Sequence, residues 1–402
     1  MLYRKIGKTG LKASVLSLGC MRLPMLEQKD PPKDFFERQR AVDEEKSIEM
    51  INYAIENGIN YFDSAYMYHA GNSELVLGKA LKGKRDKVIV TTKSPVSMIQ
   101  KYEDFDRILD EQLSKLNTDH LDFYLLHGLN KDAWEKARGL NALEFLDRIQ
   151  KDGRAKYVGF SFHDKANVFK EIIDSYNWSV CQIQYNYFDE NYQAGKEGLK
   201  YAAAKDIGII IMEPLRGGRL TQRIPDGVQK IWDSAEIKRS PAEWGLRWVA
   251  NHPEVSVILS GMSSMEQLRE NIGLADDFVP NSLSAKEIDI IGQAAHAYRE
   301  LMKVDCTGCG YCMPCPNGVN IPMIFSAYND SYMFNDDEIA TMIYNGFIGE
   351  AQNAVNCAEC GECEEKCPQQ IEIIENLKEA HEKLYREGYG PGPGGPKPEA
   401  KE

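Results

Sequence analysis

The chain of 402 residues is longer than one hydrophobic core usually sustains, so its length predicts more than one domain. Hydrophobic residues make up 43% of the sequence and charged residues 27%, as in an ordinary globular protein. The formal net charge of -13 repels nucleic acid and anionic membrane surfaces, so we expect neither as a partner.

The expected cellular location decides how the cysteines of this chain are interpreted. No apolar stretch is long enough to span a bilayer, and none follows the N-terminal residues as in a signal peptide, so a cytoplasmic location is expected. In that reducing compartment ten cysteines indicate metal binding rather than disulfides. Eight of them lie between Cys306 and Cys367, whereas Cys20 and Cys181 stand alone and are expected to be buried core thiols.

Short β-branched runs alternate with helical patterns over about the first 275 residues. The predicted strands are 15–18, 61–63, 88–91, 123–126, 157–160, 181–184, 208–212 and 256–259. Predicted helices include 44–57, 72–81, 105–116, 140–151 and 264–274. Eight strand–helix units of this length predict an α/β protein with a (β/α)8 TIM barrel rather than an open doubly wound sheet. No Gly-x-Gly-x-x-Gly follows the first strand, which argues against a Rossmann domain.

The sequence also predicts two capped helix starts, one further helix and a disordered tail. Ser240-Pro241-Ala242-Glu243 and Ser264-Met265-Glu266-Gln267 both have the pattern of a capping box. A further helix is predicted over 284–301. Residues 388–402 are rich in Gly and Pro, which predicts a disordered tail.

Polar side chains stand at the predicted carboxyl ends of three consecutive strands. Asp63 ends the second strand with Tyr68 five residues further on, Lys93 ends the third and His127 the fourth. Barrel enzymes carry their active site at this end of the strands, so the four should converge. Each has a structural alternative by itself: a helix cap, a loop aromatic, a surface charge and a core histidine. Their combination at matching strand ends favours a catalytic group.

The segments around these residues resemble the aldo-keto reductase family. Residues 61–68 read YFDSAYMY and are followed by NSE at 72–74, as in the family signature. TK at 92–93 and YLLH at 124–127 also match, so the resemblance covers about residues 1–275. It implies an NAD(P)H-dependent enzyme that interconverts a carbonyl and an alcohol, with a small molecule of that class as substrate.

The resemblance also implies a role for each member of the tetrad. Tyr68 would donate the proton to the carbonyl oxygen, and a phenol that titrates near pH 10 needs help to do so. Lys93 would bring the pKa of Tyr68 nearer neutral, and Asp63 would orient Lys93. His127 would donate a hydrogen bond to the carbonyl oxygen as negative charge develops there.

The cofactor contacts follow from the same resemblance. Ser161 and Gln184 match positions that hold the nicotinamide carboxamide, and Met212 would cover the ring where many members have an aromatic residue. The loop after the seventh strand would approach the diphosphate, with an ordinary glycine turn as the alternative. The expected contacts are Ser161, Gln184, Met212, Leu215, Arg216, Gly217, Gly218, Ser260, Gly261, Ser263, Gln267, Glu270 and Asn271.

The choice between NADPH and NADH depends on the loop and helix after the eighth strand. Many family members carry Lys and Arg where this chain has Gly261 and Gln267. Ser263, Gln267 and Arg269, with the free N–H groups of the helix, could compensate at an adenosine 2′-phosphate. NADP(H) is therefore the expected cofactor, and NADH stays open.

Two sets of cysteines follow the barrel, each ending in Cys-Pro. The sets are Cys306, Cys309, Cys312 and Cys315, and Cys357, Cys360, Cys363 and Cys367. This is the arrangement of bacterial ferredoxins, in which the fourth cysteine of each set binds the other cluster. We therefore expect two [4Fe–4S] clusters, one on Cys306, Cys309, Cys312 and Cys367, the other on Cys357, Cys360, Cys363 and Cys315. The first set has two residues rather than three before its fourth cysteine, and paired zinc sites are the alternative.

The whole chain resembles the ferredoxin-like branch of aldo-keto reductases. The predicted domains are a barrel over 1–283, a connecting helix over 284–301, an α-helical ferredoxin-like iron–sulfur domain over 302–387 and the tail. The clusters could exchange electrons with a redox partner protein or serve to fold their domain. An electron-transfer protein or a nicotinamide-sensing regulatory subunit remains an alternative to the enzyme. The pocket segments 21–43, 69, 129–138 and 220–239 carry no motif that identifies a substrate.

Overall fold

The computed structural model describes residues 1–27 and 40–387. These form two compact units, one of residues 1–27, 40–218 and 239–288, the other of residues 219–238 and 289–387. The predicted tail 388–402, and most of the predicted pocket segment 21–43, lie outside the described residues. None of the described helices is long and apolar enough to cross a membrane.

The first unit is built around a closed barrel of eight parallel strands, in the order β10-β3-β4-β5-β6-β7-β8-β9. Its strands are β3 Leu16–Gly19, β4 Tyr61–Asp63, β5 Ile89–Ser94, β6 Leu121–Leu129, β7 Ala155–Phe162, β8 Val180–Gln184, β9 Gly208–Met212 and β10 Val255–Ser260. Each predicted strand overlaps one of these, so the predicted barrel is confirmed. Neighbouring strands pair in parallel, with Phe62 paired to Val90 and Lys93 paired to Leu125.

The helices of the two units follow the chain in order. They are α1 Glu44–Glu56, α2 Asn72–Ala80, α3 Glu103–Leu116, α4 Lys131–Gly139, α5 Ala142–Lys151, α6 Ala166–Ser175, α7 Gly195–Ala203, α8 Asp226–Ser234, α9 Pro241–Ala250, α10 Met265–Leu274, α11 Ala285–Arg299, α12 Ile321–Met333, α13 Asp337–Met342, α14 Glu362–Glu365 and α15 Ile373–Leu384. Barrel helices bury one stripe, as α6 does with Val168, Phe169, Ile172 and Ile173 at the spacing of a helical face. The N-caps of both predicted capping boxes form, since Ser240 accepts from the Glu243 N–H and Ser264 from the Gln267 N–H.

An N-terminal hairpin, which the sequence analysis did not predict, precedes the barrel strands. Strands β1 Tyr3–Lys5 and β2 Lys12–Ser14 pair antiparallel. The hairpin places Ile6 and Ala13 in a buried cluster with barrel residues such as Phe123 and Val257. Arg4 donates to four carbonyl oxygens, those of Ala250, His252, Val255 and Phe278. The hairpin is therefore packed into the barrel, and the Lys8 N–H donates to the Asp206 carbonyl oxygen at 2.9 Å, just before the amino end of β9.

The second unit has its own apolar core on helices α12, α13 and α15. Its buried residues include Val304, Val319, Ile324, Phe325, Tyr328, Tyr344, Ile348, Ile373, Leu377 and Leu384. Residues 219–238 belong to this unit, where Arg219 pairs with Asp330 and Arg223 lies 3.1 Å from Asp336. The sequence analysis assigned that segment to the barrel domain. The boundary at 283 stays a prediction.

Candidate active site

The four predicted tetrad residues lie together at the carboxyl ends of β4, β5 and β6. Asp63 is the last residue of β4, and Tyr68 begins the 3-10 turn that follows. That turn is strained, because His69 and Ala70 have φ angles of 51° and 52°, in the left-handed region that non-glycine residues rarely adopt. Strained backbone of this kind clusters at functional sites.

Lys93 is the centre of the group. Its ammonium donates to Asp63 Oδ1 at 2.5 Å, to the Ser64 carbonyl oxygen at 2.7 Å and to the Tyr68 hydroxyl at 3.4 Å. Lys93 is only 1% exposed and Asp63 only 2%. A buried ion pair of this kind is retained only when hydrogen bonds satisfy both partners, and three acceptors satisfy the three N–H bonds of the ammonium.

His127 approaches Tyr68 from the next strand. The two ring centroids are 5.9 Å apart and the planes stand at 81°, an edge-to-face contact. Its buried Nδ1 has no hydrogen-bond partner among the residues that the structure describes. Burial, with the charge of Lys93 nearby, holds the pKa of His127 well below its usual value, so the ring is neutral at pH 7. A neutral imidazole still has one N–H to donate.

The pKa of Tyr68 does not move in the direction that the sequence analysis expected. Burial raises the pKa of Tyr68, and the lowering effect of the Lys93 charge is too small to reverse it. Burial also raises the pKa of the Asp63 carboxyl. For Lys93, burial alone would lower the pKa, but the charges of Asp63 and Tyr68 outweigh it and raise the pKa. The phenol therefore stays protonated, which is the form that donates a proton.

Gln182 belongs to this group and was missed. It lies on β8, 1% exposed, and its Nε2 donates to Asp63 Oδ2 at 2.5 Å. Both carboxylate oxygens of Asp63 are thus occupied, one by Lys93 and one by Gln182. Gln184, which was predicted as a nicotinamide contact, donates to Asp189 at 2.9 Å. Both glutamines stand on the same face of β8, two residues apart, and the sequence did not indicate that Gln182 reaches Asp63.

A second buried polar network contacts the backbone of Lys93. Glu74, from the NSE segment, accepts from Thr92 Oγ1 at 2.5 Å and from Gln112 Nε2 at 2.6 Å. Gln112 also donates to the Lys93 carbonyl oxygen at 3.1 Å and accepts from the Tyr124 hydroxyl at 2.8 Å. Burial raises the pKa of Glu74. These contacts hold the backbone of β5 where the Lys93 side chain departs.

The predicted nicotinamide contacts lie on three neighbouring strands. Ser161 is buried near the end of β7 and accepts from the Gly128 N–H at 2.8 Å. Met212 ends β9 and is half-buried. Leu215 packs so closely on α9 that a Cβ added at Gly245 would lie 2.5 Å from its Cδ2. Buried polar groups beside a half-buried thioether fit an aromatic ring that carries an amide.

Arg216, the charged residue in the loop after β9, forms an ion pair within the chain. Arg216 Nη1 lies 2.6 Å from Asp189, and its guanidinium stacks 4.9 Å from the centre of the Phe188 ring. Gly217 and Gly218 follow with φ angles of 67° and 94°. Glycine therefore suits both positions, because other residues rarely adopt these φ angles. The ion pair between Arg216 and Asp189 holds the loop in place.

The loop after β10 is organised by its own polar residues. The Ser263 N–H donates to Gln267 Oε1 at 2.8 Å, and Asn271 Nδ2 donates to Ser260 Oγ at 3.3 Å. Glu270 accepts from Ser240 Oγ at 2.8 Å. Arg269 stacks 5.2 Å from the centre of the Tyr53 ring. Contacts of this loop, including Gly261, with a nucleotide stay a prediction.

Six cysteines of the second unit pack against its apolar core: Cys306, Cys312, Cys315, Cys357, Cys363 and Cys367. One cavity is lined by Cys315, Cys357, Cys360 and Cys363, the predicted second group, together with Cys312. Within residues 1–27 and 40–387 no three Cys, His, Asp or Glu side chains converge closely enough to hold one metal ion. A cubane needs no such convergence, because its four cysteines bind four separate irons.

Cys20 and Cys181 are buried, as expected of core thiols. Burial raises the pKa of both thiols, so they are poor nucleophiles.

Comparisons with known proteins agree with this geometry. Residues 33–295 match the model of the aldo/keto reductase family, and residues 305–372 match that of a 4Fe-4S dicluster domain. The chain is 25% identical over 333 residues to the uncharacterized oxidoreductase YqkF of Bacillus subtilis, covering 75% of this chain and 99% of that protein. It is also 25% identical over 281 residues to the NADH-specific methylglyoxal reductase of Escherichia coli, covering 58% of this chain and 83% of that one.

A solved structure shows the same architecture. The holo form of the aldo-keto reductase AKR11C1 from Bacillus halodurans superposes with a TM-score of 0.60 at 25% identity, over 73% of this chain and 96% of that one. The family match spans more than half of the residues. The closed barrel carries Asp63, Tyr68, Lys93 and His127 together at the carboxyl ends of its strands. The chain therefore belongs to the aldo/keto reductase family of oxidoreductases, and it carries a 4Fe-4S dicluster domain after the barrel.

Proposed function

We propose that this protein interconverts a small-molecule carbonyl and its alcohol, using NAD(P)H and the tetrad Asp63, Tyr68, Lys93 and His127. The observation that carries the proposal is the buried ammonium of Lys93, which lies between Asp63 at 2.5 Å and the Tyr68 hydroxyl at 3.4 Å. A structural ion pair would not need a third contact to a phenol at the open end of a barrel.

Each residue has a separate task in this reaction. A bound reduced nicotinamide supplies the hydride that reaches the carbonyl carbon. Tyr68 transfers its hydroxyl proton to the carbonyl oxygen, and in alcohol oxidation it takes the proton back. Lys93 stabilises the phenolate that remains after the transfer, and Asp63 with Gln182 holds Lys93 in position. Neutral His127 donates its N–H to the carbonyl oxygen, where negative charge develops.

Two details of the cofactors are part of the proposal. NADP(H) is proposed through Ser263, Gln267 and the N-terminus of α10, while the NADH-specific relative keeps NADH open. Two [4Fe–4S] clusters are proposed on the two cysteine groups, supported by the match to a 4Fe-4S dicluster domain and by the cavity that Cys315 shares with Cys357, Cys360 and Cys363. In the proposed arrangement the fourth cysteine of each set binds the other cluster, which is the ferredoxin pattern.

The proposal is tested with Tyr68→Phe, which removes one hydroxyl and keeps the ring. Tyr66→Phe is the matched control, because the Tyr66 hydroxyl donates to Glu111 and lies outside the tetrad. NAD(P)H consumption with a panel of aldehydes and ketones is measured anaerobically. We expect Tyr68→Phe to lower kcat about 10²–10⁴-fold with nicotinamide binding retained, and Tyr66→Phe to change little. Equal turnover of wild type and Tyr68→Phe would remove Tyr68 from the mechanism.

A further inference from the structure

The first turn of helix α2 contains two buried polar residues, Ser73 and Glu74, to which the proposed reaction assigns no role. The side chains of both have no exposure to solvent. This turn directly follows the 3-10 turn that begins with Tyr68. The contacts of Ser73 and Glu74 therefore bear on the geometry of the tetrad.

Ser73 closes the loop that carries Tyr68. Its Oγ donates to the Cys20 carbonyl oxygen at 2.9 Å and also lies 2.9 Å from Ser64 Oγ. Because a hydroxyl has one proton and that of Ser73 goes to Cys20, the Ser64 hydroxyl must donate to Ser73. The carbonyl oxygen of the same Ser64 accepts from the Lys93 ammonium at 2.7 Å. Ser73 thus anchors, through Ser64, one of the three acceptors of Lys93.

Glu74 anchors the backbone of Lys93. Its Oε1 accepts from Thr92 Oγ1 at 2.5 Å and from Gln112 Nε2 at 2.6 Å. Thr92 immediately precedes Lys93 on β5, and Gln112 donates to the Lys93 carbonyl oxygen at 3.1 Å. Two buried donors therefore share one carboxyl oxygen, and both adjoin Lys93.

Close packing of α2 on α3 brings Glu74 to Gln112. Gly78 lies four residues after Glu74, on the same face of α2. A Cβ added at Gly78 would lie 2.4 Å from the Lys115 carbonyl oxygen and 2.8 Å from the backbone of Leu116, both on α3. The two helix backbones can approach this closely only because Gly78 has no side chain.

The carboxyl group of Glu74 has different partners from that of Asp63. Asp63 binds the Lys93 ammonium, whereas Glu74 accepts from one hydroxyl and one amide, both on Oε1. Glu74 Oε2 is buried and has no hydrogen-bond partner among the residues that the structure describes. Burial raises the pKa of Glu74, which favours the uncharged acid. The contacts need an acceptor oxygen rather than a charge, and a glutamine side chain also provides that oxygen.

We infer that Ser73 and Glu74 are positioning residues that fix Lys93 at both ends, Ser73 through the carbonyl group of Ser64 and Glu74 through the backbone of β5. Their effect on the reaction passes through Lys93. This inference rests on the proposed function, since it requires that the Lys93 ammonium stabilises the Tyr68 phenolate.

The experiment compares Ser73→Ala, Glu74→Ala and Glu74→Gln in anaerobic carbonyl reduction, nicotinamide binding and urea unfolding. Ser47→Ala is the matched control, because Ser47 is a buried serine near the start of α1 that donates to the Asp43 carbonyl oxygen at 2.6 Å. We expect kcat to fall about 3- to 10-fold in Ser73→Ala, as for one lost hydrogen bond. Glu74→Ala should lower kcat about 10- to 100-fold by displacing Lys93, with the Kd of NAD(P)H unchanged. Glu74→Gln should stay within about 3-fold of wild type, because its carbonyl oxygen still accepts from both donors.

The pH profile separates positioning from folding. The Lys93 charge lowers the pKa of Tyr68, so an ammonium displaced from the phenol lets that pKa rise. The alkaline limb of carbonyl reduction, where Tyr68 loses the proton that it donates, should therefore move to higher pH in Ser73→Ala and Glu74→Ala. A loss of stability alone would not move this limb.

Two results would overturn the inference. One is a Ser73→Ala variant with the kcat and pH profile of Ser47→Ala, which would leave the turn a purely structural role. The other is a Glu74→Gln variant that loses as much turnover as Glu74→Ala, or as much as Ser73→Ala if Glu74→Ala does not fold. Absence of carbonyl reduction by the wild type would instead reject the proposed function, and this inference with it.

Discussion

Replacing Lys93 by Met separates the catalytic and structural effects of the buried pair. The substitution removes the ammonium and keeps an unbranched apolar chain of similar length. Asp63 then keeps Gln182 as a partner but loses the positive charge at 2.5 Å. Both Lys93 and Asp63 are almost fully buried, so solvent cannot replace the missing charge.

The two expected effects have different magnitudes. Leaving one partner of a buried ion pair uncompensated costs about 3–5 kcal/mol of the free energy of unfolding. Loss of proton transfer should lower kcat about 10²–10⁴-fold. Lys93→Met/Asp63→Asn removes both charges, so we expect it to recover part of the stability and none of the activity.

The pH dependence provides a further check on the Lys93→Met variant. Burial raises the pKa of Asp63 and Lys93 lowers it, so Lys93→Met raises this pKa further, and a proton bound to Asp63 stabilises the folded variant more than the folded wild type. That stability is present below the unfolded pKa of the carboxyl and is lost as the pH rises through the folded pKa. The deficit of Lys93→Met against wild type should therefore shrink as the pH is lowered.

The assay combines anaerobic urea unfolding, followed by tryptophan fluorescence, with NAD(P)H consumption. Buried tryptophans of the barrel, Trp134, Trp178 and Trp244, report on this unit. The reasoning is refuted if Lys93→Met is as stable and as active as wild type. It is also refuted if the double variant regains turnover along with stability, because Lys93 would then act only through folding.

Four further outcomes are expected. Anaerobically purified protein should contain about eight irons per chain with acid-labile sulfide, and stoichiometric zinc without iron would contradict the two clusters. Parallel titrations should show tighter binding of NADPH than of NADH through Ser263 and Gln267; clearly tighter NADH would mean that Gly261 and Gln267 decide the preference. NADPH alone should not rapidly reduce the clusters, because a hydride carries two electrons and each cluster accepts one, so a fast paramagnetic signal from reduced clusters would refute this. Cys309→Ser should lose its cluster and keep carbonyl reduction if the clusters are dispensable for hydride transfer, and loss of turnover in a folded variant would contradict that.

The sequence by itself determined the fold class and the position of the tetrad. Short β-branched runs and N-cap patterns are local features, so the strands and the starts of α9 and α10 could be predicted without the tertiary structure. The carboxyl ends of parallel barrel strands meet at one face, so the tetrad residues had to approach one another. The spacing of the cysteines likewise indicated which would share a cluster.

Only the tertiary structure decided which hydrogen-bond and ion-pair partners these residues have and how burial shifts their pKa values. Gln182 reaches Asp63 across 119 positions of the chain, and Arg216 pairs with Asp189 instead of remaining a loop charge. The upward direction of the Tyr68 pKa is a desolvation effect, which depends on everything packed around the phenol. The contact of Arg22 with Gly261 likewise joins segments that are remote in sequence. Local patterns carry none of this, because long-range contacts and desolvation exist only once the barrel has closed.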